Sequence, residues 1–169
     1  MLPGLIVVLL ASYKVKSAFS RYSGVLNSRG LTGQGAAQAV LSAYNVPGVV
    51  FERVSGSLTD YYDPRNNVIR LSDDVFYSSS CAAVGVAAHE AGHAAQYSDG
   101  YLPIKVRTAI LPICNIGSRL SIPLLIIGSI FAFRPLLVAG VAAFGVALLF
   151  QLATLPVEFN ASRRALKVI

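Results

Sequence analysis

From Pro135 to Val157 the chain runs for 23 residues without a charge, in a stretch dominated by Leu, Val, Ala and Phe. At about 1.5 Å per residue a helix of that length crosses a hydrocarbon core about 30 Å thick. It is too long and too bare of charge to be the surface helix of a water-soluble domain. A second uncharged run of 14 residues, Leu120 to Phe133, becomes a span if Arg119 snorkels and the mostly apolar Ile110 to Gly117 joins it. Arg134-Pro135 then reads as the tight turn between two antiparallel membrane helices. Leu2 to Tyr13 is a third apolar run of only 12 residues, about 18 Å if helical, either cut short at the N-terminus or entering the membrane partway. About three membrane-embedded helices are therefore expected. No basic residue precedes the first run and no small-x-small site follows it, which argues against a removed signal peptide.

Composition excludes several classes. Only 13% of residues are charged and 54% are hydrophobic, against roughly 25% charge in soluble domains. That hydrophobicity rules out disorder. The formal charge of +6 comes from scattered Lys and Arg, with no Trp among them, so a nucleic-acid partner is not expected. Cys81 and Cys114 make neither a disulfide framework nor a Cys-x-x-Cys metal pair and read as reduced thiols. The basic residues do orient the chain in a bilayer. Lys14, Lys16 and Arg21 follow the first run, Lys105, Arg107 and Arg119 precede the second, and Arg163, Arg164 and Lys167 follow the third. The turn between the last two holds only Arg134, so the positive-inside rule puts that turn and the N-terminus outside, and the polar parts in the cytoplasm.

Four segments follow: an N-terminal membrane segment at 1–13, a cytoplasmic domain at 14–119, a transmembrane hairpin at 120–157, and the start of a cytoplasmic helix at 158–169 whose pattern still runs at Ile169, as in a truncated chain. In the polar domain Thr32 is placed to cap a helix over Gly33 to Tyr44, where Ala36, Ala37, Val40, Leu41 and Tyr44 recur at helical spacing. Val49 to Val54 and Val68 to Leu71 flank the turn cluster Asp63-Pro64-Arg65-Asn66-Asn67, which suggests a small hairpin or three-stranded sheet, expected to be antiparallel. Ser78 to Ser80 could cap a helix that reaches about Gln96 and stops at Ser98-Asp99-Gly100. The fold class expected is α+β, mainly helical.

His89-Glu90-Ala91-Gly92-His93 lies inside that last helix. Residues four apart share a helix face, so both imidazoles can reach one ion, while Glu90 lies beside the open position where a water would bind. Small neighbours, Ala87, Ala88, Ala91, Gly92, Ala94 and Ala95, leave room for it. The competing explanation is two chance histidines on a helix, yet these are the only 2 in the chain and both fall in the motif. Catalytic zinc takes three protein ligands, so the third must be a carboxylate or a thiolate. Glu52, Asp60, Asp63, Asp73, Asp74, Asp99, Glu158 and Cys81 are available. Glu158 stands apart as the first charge after the long span, with pairing to Arg163 or Arg164 as its alternative role.

These residues, with Asn27-Ser28-Arg29-Gly30-Leu31-Thr32-Gly33, Leu58-Thr59-Asp60-Tyr61-Tyr62-Asp63-Pro64 and Val157-Glu158-Phe159-Asn160-Ala161-Ser162-Arg163-Arg164, resemble the bacterial membrane neutral zinc metallopeptidases of the YugP type over nearly the whole chain. The resemblance implies an integral-membrane, zincin-like gluzincin, distantly similar to the HtpX and CAAX-prenyl endopeptidases, with Zn2+ held by His89, His93 and Glu158 and Glu90 as catalytic base. In those distant relatives an acidic residue follows the third ligand by four positions; here Ser162 stands there. Peptides or proteins at the cytoplasmic face of the lipid bilayer are the implied substrates, membrane proteins or their tails the natural ones. Tyr61, Tyr62, Arg163 and Arg164 are chemically able to stabilise an oxyanion. A non-enzymatic membrane protein with structural zinc is the competing class; a divalent-metal carrier ranks last, since only Arg134 is charged between Leu120 and Val157.

Overall fold

The computed structural model describes residues 2–169, with side chains from residue 9 onward. Among the described residues six helices and three strands follow one another as α1 (Leu2–Ser23), α2 (Gly33–Ala43), β1 (Val50–Val54), β2 (Tyr61–Asp63), β3 (Val68–Ser72), α3 (Asp73–Phe76), α4 (Cys81–Ser98), α5 (Leu102–Ile130) and α6 (Arg134–Leu166). The chain falls into two units, residues 1–98 with 161–169, and residues 99–160.

In the first unit the helix ends follow local chemistry. Thr32 caps α2, its Oγ1 accepting from the Gly35 amide at 3.1 Å, and Ser80 does the same for α4, accepting from Ala83 N at 3.1 Å. α4 runs on to Ser98, and Gly100 then turns the chain at φ +67. Asn27 anchors the connection between α1 and α2. Its Oδ1 accepts from the amides of Arg29 and Leu31, and its Nδ2 donates to Ser79 O just before α4. Ala37, Val40 and Leu41 of α2 pack against Ala87, Ala88 and Ala91 of α4, with Ile69, Leu71 and Val75 completing the core.

The sheet corrects the expectation of antiparallel pairing. Its order is β1-β3-β2, with β3 antiparallel to β2 but parallel to β1. Burial explains the arrangement. Val68, Ile69, Leu71 and Ser72 of β3 are buried on both faces and only Arg70 is partly exposed, so this strand takes the centre. β1 and β2, each half exposed, become the edges.

The second unit is a helical hairpin, α5 with α6 up to residue 160, joined at residues 131–133. The helices meet at small residues. A Cβ at Gly128 would press on Leu137, and one at Gly140 on Leu125, the close approach typical of helices packed in lipid. Ile113, Ile130, Val138 and Leu149 stay largely exposed, as side chains facing hydrocarbon would. Among the described residues two helices are long and apolar enough to cross a membrane, Leu102–Ile130 and Arg134–Leu166, not the three expected. α1 is long enough, but Lys14, Lys16 and Arg21 charge its second half, leaving a short apolar start.

Candidate metal centre

α4 supplies His89, Glu90 and His93. His93 is buried and His89 half-buried, with ring centroids 4.7 Å apart and nearly perpendicular planes. Each ring is fixed through Nδ1. His93 Nδ1 donates to Gln96 Oε1 at 3.0 Å, one turn along α4. His89 Nδ1 lies 2.9 Å from Ser162 Oγ near the end of α6. The Gln96 carbonyl oxygen can only accept, so His93 carries its proton on Nδ1 and keeps a lone pair on Nε2, the tautomer a metal requires; the Ser162 hydroxyl can accept from His89 in the same way. The donors therefore suit zinc: two imidazoles with their orientations set by partners.

The helices that make the His89 contact touch at their backbones. A Cβ at Gly92 would collide with the carbonyl of Ala161, so only glycine lets the end of α6 come this close to α4. That approach seats Ser162 against His89. On the opposite side of α4, Glu90 Oε2 accepts the Tyr62 amide of β2 at 2.9 Å. Burial raises the Glu90 pKa above the usual carboxylate range; positive charge on His93 and His89 and the Tyr62 amide pull it back, and Asp60 adds a smaller upward push.

Four of the other acids weighed from the sequence are engaged elsewhere. Glu52 and Asp63 pair with Arg70 at 2.8 and 3.0 Å, and Asp73 lies 3.7 Å from Arg53. Asp60 accepts from Ser72 N at 2.7 Å. Asp74 and Asp99 are exposed, and Cys81 begins α4 two turns before His89. Glu158 lies on α6, in the hairpin unit, with its Oε1 3.0 Å from Arg107 Nη2 of α5. Arg164, one of the two partners weighed for Glu158 in its alternative role, stacks over the Tyr44 ring. Among the oxyanion candidates, the Tyr61 hydroxyl accepts from Arg70 and the Tyr62 hydroxyl donates to Asn67. Burial, with Tyr97 and Asp63 nearby, raises the Tyr62 pKa.

The sequence has counterparts among known proteins. A family model described as "putative neutral zinc metallopeptidase" matches residues 1–169. The chain belongs to this family. As a member of the zinc metallopeptidase family its metal is Zn2+ and its substrates are peptides. It is also 43% identical over 159 residues, 94% of this chain and 71% of the relative, to "Putative membrane protease YugP" of Bacillus subtilis (strain 168). No solved structure matches the chain. The relative's name and the two apolar helices together point to membrane association.

Proposed function

We propose that the chain is a membrane-bound zinc endopeptidase of gluzincin type, with one donor atom each from His89, His93 and Glu158 and with Glu90 as general base. The observation that carries the reading is the pair of Nδ1 contacts, to Ser162 and Gln96, which orients both rings through one nitrogen and leaves the other as the atom that would meet a metal. Glu158 joins them through helical spacing. It stands four residues, one turn, before Ser162 in the sequence of α6. Arg107 holds one of its oxygens and orients the group.

Zinc bound there supplies a Lewis acid for the scissile carbonyl and lowers the pKa of a water toward about 7. Glu90 accepts the water's proton and returns it to the departing amine. The Tyr62 amide anchors Glu90 Oε2, so the carboxylate keeps its place through both transfers. An extended peptide lies along an open sheet edge, read through its backbone. The chain sits multi-pass in the cytoplasmic membrane with this site facing the cytoplasm, where membrane proteins and their tails are within reach.

Hydrolysis of an unstructured protein tests the reading. Chelator should abolish it and Glu90→Gln should lower it by about 10²- to 10⁴-fold while zinc content stays at the wild-type level. Glu158→Gln should lose zinc. Equal hydrolysis in every lane would overturn the proposal.

A further inference from the structure

The metal-binding face of α4 continues toward the N-terminus of that helix as the floor of a groove. Ala82 and Val86 stand seven and three residues before His89, on the side of the helix that carries the imidazoles. Phe19 and Tyr22 of α1 form the opposite wall, and Leu58 from the loop before β2 covers one flank. The space is about 360 Å³ and carries no charged side chain in its lining, a size near the lower end for pockets that hold small ligands (roughly 300–1,000 Å³). Leu58 is held there at φ +56, a conformation that a branched aliphatic residue adopts only when its surroundings impose it. Tyr22 and Leu58 remain substantially exposed, so the groove is open to an occupant.

We propose that this groove takes a bulky apolar side chain of the peptide substrate, one or two residues from the bond that is cut, and so directs cleavage to Leu- and Phe-like positions. The inference rests on the peptidase reading above. Val86 precedes His89 by one turn, about 5 Å along the axis, and an extended peptide advances about 3.3 Å per residue. A substrate crossing the ion therefore brings a side chain to the groove within two residues. No lining residue is basic, so the headgroup of an anionic lipid finds no partner.

Gly85 offers the test, because a Cβ added there meets nothing within 4 Å and a larger side chain fills the groove. Peptide libraries should show the wild type preferring Leu or Phe over Ala by about ten- to a hundredfold in kcat/KM, the range given by burying such a side chain. Gly85→Leu, checked for unchanged zinc content, should reduce that ratio about tenfold. A second readout needs no turnover. Cys81 lines the groove and the other thiol, Cys114, is buried in the hairpin. In Glu90→Gln protein with Cys114→Ser, Leu- or Phe-containing peptides should slow alkylation of Cys81 by N-ethylmaleimide at least threefold, and Ala or Ser analogues should not. Chelator-sensitive hydrolysis with the same preference in Gly85→Leu overturns the groove alone. Protection without hydrolysis upholds the groove and counts against the peptidase reading. Protection by phosphatidylglycerol vesicles and by no peptide overturns the proposal.

Discussion

Ser162 gives His89 a neutral hydroxyl at 2.9 Å, and a hydroxyl raises the basicity of an imidazole less than a carboxylate would. Partners of this kind typically account for 10- to 100-fold in metal affinity. Ser162→Ala should therefore weaken zinc binding by about that factor in a chelator competition, while Ser162→Asp should tighten it beyond wild type. Equal affinity in all three proteins would show that the hydroxyl merely fills space. At this scale the sequence disclosed the residues whose geometry is local. His89, Glu90 and His93 obey helical spacing, and Ser162 was singled out through the family resemblance, as the residue that stands where the distant relatives carry an acid. Arg107 could not. It meets Glu158 only because α5 and α6 pack as a hairpin, and nothing near Arg107 in the chain marks it among the other scattered bases. Gln96 sat within reach, three residues after His93, but a glutamine on an Ala-rich helix gives no signal until the ring is seen donating to it.

Gly92 is where two elements are fitted to one another. In an isolated helix, replacing it with Ala would stabilise by up to about 1 kcal/mol. Here the new methyl group meets the backbone carbonyl of Ala161, which cannot rotate away, and overpacking costs about 1–3 kcal/mol or more. The clash wins. Gly92→Ala should lower the melting temperature of the full chain and its zinc affinity together, since separating α4 from the end of α6 also withdraws Ser162 from His89. The turn between β2 and β3 makes a different prediction. Asp63 accepts from Asn66, the Arg65 amide and Arg70, which lower its pKa to about 2. A carboxyl depressed on folding contributes stability above its unfolded value, near 3.9, and loses that contribution as pH falls through the folded one. Urea unfolding should find Asp63→Asn less stable than wild type at pH 6, with the difference shrinking from about pH 5 and gone only near pH 1; a constant difference would refute the linkage. Caps, turns and helix ends were legible because each is set by neighbouring residues. The parallel pairing of β1 with β3 was not, because strand order depends on which strand is buried on both faces, and Val68 to Ser72 is too short for its alternation to reveal that.

Across the whole chain, what the sequence disclosed best was a matter of bulk chemistry. Long uncharged runs left α5 and α6 little choice but an apolar hairpin, whatever their individual side chains. The first run was less well served by the same logic, because its helix continues through Lys14, Lys16 and Arg21. Those bases, with Lys105, Arg107, Arg163, Arg164 and Lys167, now define a testable orientation. Moving several Lys and Arg side chains through hydrocarbon costs about 2.5–3.5 kcal/mol each near the bilayer centre, so the side of the membrane that keeps them is fixed, and the 131–133 turn with its single neighbouring Arg134 must take the other. Ala132 in that turn and Asn66 between β2 and β3 are both exposed. With Cys81→Ser and Cys114→Ser as background, a cysteine placed at Ala132 should react in intact cells with a membrane-impermeant maleimide. One placed at Asn66 should react only after permeabilisation. Reaction of the Asn66 position in intact cells would put the metal centre outside, and with it would fall the assignment of cytoplasmic substrates.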